Sequence, residues 1–257
     1  LYYANRLQQL PLGVVGAAIS VAVLPILSRH IKACQPEQAR AVQTKAVEYG
    51  ALLSIPAAVA LIILAEPIIN ILFQHGKFGY TETTMTAKAV IAYAVGLPAY
   101  VLVKAMAPNF FARGDTKTPV KYSIVVLLTN LCFSVILMLP FGHVGIAAST
   151  TIAAFVSLGQ YIHGLKKRDF WNYPQELLFK TGKIFCCSVA MGIILLLCDY
   201  MLNLCFGNWL HLSILPKLAL FALICILGFI TFVFCAKLCH LLNLNEIISC
   251  LRKEKIS

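Results

Sequence analysis

LQQLPLGVVGAAISVAVLPILS, residues 7–28, runs without a single charged side chain. A helix rises 1.5 Å per residue, so ~20 apolar residues cross the hydrocarbon core of a bilayer. This stretch has that length. Its Leu, Ile, Val and Ala show no two-residue alternation, which excludes a membrane-barrel strand. The same pattern recurs along the chain, and the spans read as 8–27, 46–65, 86–107, 119–139, 144–165, 184–206 and 214–236. Apolar residues make up 60% of the chain and charged residues 12%, a ratio without use in a soluble fold. The fold class that follows is an all-α membrane protein with seven transmembrane helices. The longest polar gaps, 28–45 and 166–183, are too short to bury cores of their own.

The net charge of +11 raises nucleic acid as a partner. Its placement removes that reading. Sixteen of the 21 Lys and Arg residues fall in alternate gaps, from Arg29 and Lys32 through Lys117, Lys166 and Lys167 to Arg252, Lys253 and Lys255. Only Arg6, Lys77, Lys88, Lys104 and Lys217 lie in the other gaps or inside spans. Positive charge marks the cytoplasmic side, so the first span is expected to start outside and the C-terminus to be cytoplasmic. The chain opens at Leu1, with Tyr2, Tyr3 and Arg6 already in span-like sequence. It reads as the C-terminal part of a longer protein.

Other function classes find little support. The ten cysteines include no Cys-x-x-Cys pair, and Cys132, Cys186, Cys187, Cys198, Cys225 and Cys235 sit within apolar runs. They read as small buried hydrophobes. No His-x-x-x-His pair offers a zinc site. There is no phosphate-cradling glycine loop, no Gly-x-Ser-x-Gly elbow and no His-Glu-x-x-His, so no enzyme is expected. Pro11, Pro56, Pro98 and Pro108 predict kinks in three spans. The gap 28–45 reads as a short helix on the cytoplasmic face. Ile68–Phe73 reads as a short helix at the outer interface, stopped by Gly76. Spans six and seven, the most uniformly apolar, are expected to face lipid.

Ionisable and polar groups inside spans are costly, about 2.5–3.5 kcal/mol for a charge at the helix centre, and so mark candidate sites. Helical phase puts Tyr2, Arg6, Gln9 and Gly13 on one face of span one. That face is either a cationic wall for an anionic ligand or an arginine reaching the outer headgroups. Tyr93, Tyr100 and Lys104 form a second stripe, on span three, whose hydroxyls need partners that cavity water or substrate would supply. Lys88, on the opposite face, reads as an interface anchor; Glu48, Glu66 and Asp199 read as solvated end residues. Asn130 and Ser134 in span four, with Thr150 and Thr151 in span five, offer oxygens that suit sodium. Interhelical hydrogen bonding is the commoner use of such residues. No carboxylate joins them, and the residues single out neither sodium nor a proton as a coupling cation.

Four stretches then become specific together: YYANRLQQLPLGVVGAAISVAVLPILS at 2–28, LFQHGKFG at 72–79, APNFFARGDTKTPVK at 107–121 and GHVGIAASTTIAA at 142–154. In content, order and spacing they resemble the MurJ/MviN family, the lipid II flippases of bacterial peptidoglycan synthesis. The family lies within the multidrug and oligosaccharidyl-lipid exporter superfamily. The resemblance implies helices 8–14 of a fourteen-helix, two-lobe flippase. Residues 1–165 would be part of the second lobe, and 166–257 two accessory helices with a cytoplasmic tail. It implies a bacterial inner-membrane protein that moves lipid-linked disaccharide-pentapeptide between leaflets by alternating access, partnered by membrane lipids and by a preceding N-terminal lobe. The family's arginine in an Asp-Arg-Leu context falls on Arg6, with Asn5 in place of the aspartate. Substrate contacts are thus expected at Arg6, Gln9, Tyr93, Tyr100 and Lys104. Two other functions fit the residues: an exporter of drugs or polysaccharide-lipids from the same superfamily, and a non-transporting membrane scaffold.

Overall fold

The computed structural model describes residues 1–74, 79–207, 209–211, 213–239 and 241. Among these, every regular element is helical. Span one is built from α1 (Tyr2–Pro11), a π-turn (Leu12–Gly16) and α2 (Ala17–Lys32). Then come α3 (Pro36–Ile63), the short α4 (Ala65–Phe73), α5 (Tyr80–Phe111), α6 (Lys117–Phe141), α7 (His143–Lys167), α8 (Gln175–Phe206) and α9 (Ile214–Leu238). Seven helical stretches are long and apolar enough to cross a membrane, matching the seven spans read from sequence. The expected stop at Gly76, the side of Lys77 and the basic tail from Arg252 lie outside the described residues.

The centre is α5, flanked by α3, α7 and the α1–α2 span. Its Leu97, Ala99, Val101, Ala105, Met106 and Phe110 are fully buried. Small residues set how closely the helices approach. A Cβ on Gly145 would collide with the Leu137 carbonyl oxygen, so α6 and α7 meet backbone to backbone just below their turn. That turn is one residue, Gly142, at φ 55°, a left-handed conformation natural to glycine.

At the end predicted to be cytoplasmic, a charged and aromatic clamp closes the bundle. Arg168 pairs with Asp115, while Arg40 bonds both the carboxylate (2.9 Å) and the carbonyl (3.0 Å) of Asp169. Asp169 holds a positive φ of 54°. Trp171 is buried and donates its indole N–H to Thr44 Oγ1 at 2.9 Å, and the Arg113 guanidinium lies 4.1 Å over the Phe170 ring. Asp115 also caps α6 by accepting the Thr118 N–H at 3.1 Å. Hydrogen bonds from Thr118 and Arg168 hold the Asp115 carboxyl down at about 2, below its ordinary 3.8.

Several sequence expectations are corrected. Residues 36–45 are not a separate surface helix. Pro36 sits at the first position of α3, where a missing N–H costs nothing, and the helix runs unbroken to Ile63. Pro11 coincides with a change of hydrogen-bond register; Pro56, Pro98 and Pro108 lie within α3 and α5. Spans six and seven do expose apolar faces as expected, with 33% and 17% of their most apolar windows buried, but α6 exposes more. No residue is buried in the most apolar window of α6, whereas α8 buries Ile184, Cys187, Ser188, Met191 and Leu195. Glu48 pairs with Lys180 at 2.8 Å, and Asp199 accepts the Trp209 indole N–H at 3.0 Å, so neither is a bare solvated end. Cys187 is buried as expected, but Cys132 and Cys186 face outward.

Candidate functional site

The π-turn follows from Pro11, which brings no N–H to the ladder. The Leu12 N–H reaches the carbonyls of Gln8 and Gln9, and the π-turn of Leu12–Gly16 begins there. Such bulges are frequent at functional sites. N-terminal to it, Ala4, Leu7 and Gln8 are buried, while Tyr2, Arg6, Gln9 and Gly13 are exposed, all four on one strip as the phase predicts. Arg6 donates from Nη2 to the Tyr2 hydroxyl at 3.0 Å and lies 5.1 Å over the Tyr2 ring. No carboxylate pairs with it among the described residues. The strip therefore presents a cation whose charge is uncompensated. Beneath it, the buried Gln8 Nε2 has no partner.

The span-three stripe is placed differently from the expectation. Tyr93 is buried in a cluster with Ala4, Leu7 and Ala147. Tyr100 is half-buried and donates its hydroxyl proton to the Thr150 carbonyl at 2.8 Å. The Tyr100 hydroxyl proton thus goes to the backbone of α7. Lys104 is half-buried and lies against span one at Gly16. The five expected contact residues are not one surface. Arg6 and Gln9 share the exposed strip, and the tyrosines face inward.

The oxygen candidates separate too. Ser134 Oγ lies 3.1 Å from Asn130 Oδ1 and 2.6 Å from Ser149 Oγ. Ser149 Oγ lies 2.9 Å from Asn130 Oδ1 and 2.8 Å from the Ile146 carbonyl, which also accepts from Thr150 Oγ1 at 2.9 Å. Thr151 turns away and donates to the Ala92 carbonyl of α5 at 2.6 Å. Ser149 was missed from sequence, although its phase on α7 faces α6 where Asn130 and Ser134 do. Among the described residues no cluster of His, Cys, Asp or Glu could hold a metal ion.

A groove of about 290 Å³ opens between α3, α8 and α9. Leu53, Pro56, Ala60, Met191, Gly228 and Phe229 are among its walls, which are almost wholly apolar. Spans six and seven line it together with α3.

Seven long apolar helices, a cationic strip on one of them and an oily groove elsewhere define a multi-pass α-helical membrane protein. The family model described as "Lipid II flippase MurJ" matches residues 1–219. "Probable lipid II flippase MurJ" of Rickettsia prowazekii (strain Madrid E) is 37% identical over 215 residues, 83% of this chain and 42% of that protein. "Lipid II flippase MurJ" of Burkholderia cenocepacia is 35% identical over 193 residues, 74% of this chain and 37% of that protein. The solved structure "Lipid II flippase MurJ, inward closed conformation" superposes with a TM-score of 0.75 at 25% identity, covering 92% of this chain and 45% of that one. The chain belongs to the MurJ lipid II flippase family, and it is a multi-pass protein of the bacterial inner membrane. It spans about two fifths of the length of the curated relatives it matches.

Proposed function

We propose that the chain forms part of a flippase that carries lipid II from the inner to the outer leaflet by alternating access. The observation that carries this reading is the exposed strip of Tyr2, Arg6, Gln9 and Gly13, a hydrogen-bonding cationic face on an otherwise apolar span. Lipid II joins a pyrophosphate to a long apolar tail. The planar guanidinium of Arg6 would meet the pyrophosphate oxygens in bidentate fashion. The groove between α3, α8 and α9 would take the tail. No bond is made or broken in this process, so no enzyme chemistry is assigned.

Residues 1–165 would form part of the second lobe, working against an N-terminal lobe of the full-length protein. Residues 166–257 would supply the accessory helices and a cytoplasmic tail, with the C-terminus inside as the charge bias favours. Asn130, Ser134, Ser149 and Thr150 would be the place for a coupling cation. Their oxygens are neutral, and none titrates, so the group fits sodium in donor type and not a relayed proton.

In the full-length protein, Arg6→Ala abolishes lipid II flipping with membrane abundance unchanged, and Arg6→Lys restores part of it. The measurement is the appearance of lipid II in the outer leaflet. Normal export by Arg6→Ala overturns the proposal.

A further inference from the structure

Gly16 and Lys104 meet in a way that the strip and the groove do not explain. The π-turn advances less per residue than the ~100° of an α-helix. Its five residues bring Gly16 back toward the phase of the buried Gln8, onto α5, and Gly16 is itself buried. There it leaves a notch. A Cβ on Gly16 would lie 2.8 Å from Lys104 Cδ and 3.6 Å from Lys104 Cβ, so the lysine stem crosses span one where a side chain is missing. On the side of α3, Gly50 receives the preceding turn of α5: a Cβ there would meet Leu102 at 3.4 Å and Val101 at 3.6 Å. The lysine-bearing turn is thus seated between two glycines, and its flanking Val101 and Ala105 are fully buried. Nothing in this packing needs a charge. Yet the stem ends in an ammonium on a half-buried residue, with no hydrogen bond or ion pair to any described residue.

We propose that Gly16 is a positioning residue whose notch, created by the π-turn, carries the Lys104 stem past span one so that its ammonium serves as a second station for the diphosphate group of the lipid substrate, displaced along the span from Arg6. The inference rests on the flippase reading and adds how the inner half of the span holds the anion. A lysine suits this place because a flexible stem with a point charge can follow a moving phosphate. The apolar stem packs while the head stays available to an anion.

The test uses the full-length protein in lipid nanodiscs. A sulfonated, water-soluble amine-reactive ester labels lysines, and mass spectrometry reads Lys104, with the exposed Lys88 as internal control. Lys104 labels in the parent, labels at least fivefold less in Gly16→Ala, and is protected by a diphosphate-bearing polyprenyl lipid but not by the same lipid with a neutral head. Flipping falls at least tenfold in Gly16→Ala, and adding Gly16→Ala to Lys104→Ala causes no further loss. Equal labelling of Lys104 in both proteins overturns the proposal, as does a Gly16→Ala loss of the same size in the Lys104→Ala background, which would make the notch purely structural. Should Gly16→Ala fail to reach the membrane, Lys104→Met keeps the stem and drops the charge. It must lose flipping while Lys104→Arg retains it, and full activity of Lys104→Met overturns the idea. A parent that labels and is protected by the diphosphate lipid, yet moves no lipid II, defeats the flippase reading and leaves the seat standing.

Discussion

Replacing Asp115 by Asn and by Ala separates its two jobs in the clamp. Asn keeps an acceptor for the Thr118 N–H, 3.1 Å away, but loses the charge opposite Arg168; Ala loses both. A helix N-cap is worth ~1 kcal/mol. The Arg168 and Asp115 side chains are 39% and 19% exposed, so solvent still screens the pair in part, and it is worth about 0.5–1 kcal/mol. Asp115→Asn therefore costs about 0.5–1 kcal/mol and Asp115→Ala about 1.5–2 kcal/mol. Arg168→Ala loses the same pair, along with its positions over the Phe110 and Phe170 rings. In the double variant Asp115→Ala/Arg168→Ala the costs fall short of additive by the value of the pair.

The assay is reversible unfolding in mixed micelles, followed by the fluorescence of Trp171, which is buried beside the clamp. The pH dependence has a definite sign. The Asp115 carboxyl is lowered in the folded protein, so its stabilisation is fully present above the ordinary 3.8 and is lost as pH falls through about 2. Asp115→Asn should remove this acid-side loss. Equal destabilisation by Asn and Ala would refute the capping role. An unchanged acid profile in Asp115→Asn would refute the charge pairing.

Three further outcomes are expected. Tyr100→Phe removes the 2.8 Å bond to the Thr150 carbonyl and should cost ~1 kcal/mol of unfolding free energy in the same assay; no loss would mean that the hydroxyl finds water instead. Gly145→Val drives a side chain into the Leu137 carbonyl and should abolish folded protein in the membrane by immunoblot after size-exclusion chromatography, whereas Gly159→Ala, with open space at its Cβ, should not. Single cysteines at His143 should react with an impermeant thiol reagent in intact cells, and those at Lys117 and Lys167 only after permeabilisation; the reverse pattern would overturn the orientation drawn from charge.

The spans were legible because burial in lipid demands long apolar runs, and no other feature of this chain produces them. The face carrying Arg6 was legible too, since i, i+3 and i+4 spacing survives in α1. Three things were not. The π-turn depends on how Pro11 and its glycines settle hydrogen bonds, and a residue-by-residue hydropathy reading has no sign for it. The inward turn of Tyr93 and Tyr100 depends on which helices surround α5. Polarity on an apolar helix marks a side chain that needs a partner; it does not say whether water, substrate or a neighbouring carbonyl provides it. The exposed position of α6 was likewise hidden, because apolar sequence is the same whether it faces lipid or another helix.

That last ambiguity makes the exposed faces of this chain unequal as evidence. The outward face of α6 is Leu, Ile, Val and Phe with Met138 and Cys132, a surface that hydrocarbon can satisfy. The outward face of α1 and the π-turn carries Tyr2, Arg6, Gln9 and Gly13 in one strip, beside Tyr3, Asn5 and Leu10. Hydrocarbon satisfies none of the donors on that strip, and Tyr2 accepts only one of the Arg6 N–H bonds. An arginine near a span end can reach the headgroups, but Gln9, a further turn inward, cannot snorkel so far on its shorter stem. Exposure to lipid along the whole strip is therefore the arrangement that physical chemistry disfavours. Water, a polar ligand or a second polar protein surface must cover it. On the flippase reading proposed above, a cavity between two lobes would offer the first two in turn, as a site that opens alternately to each side of the membrane requires.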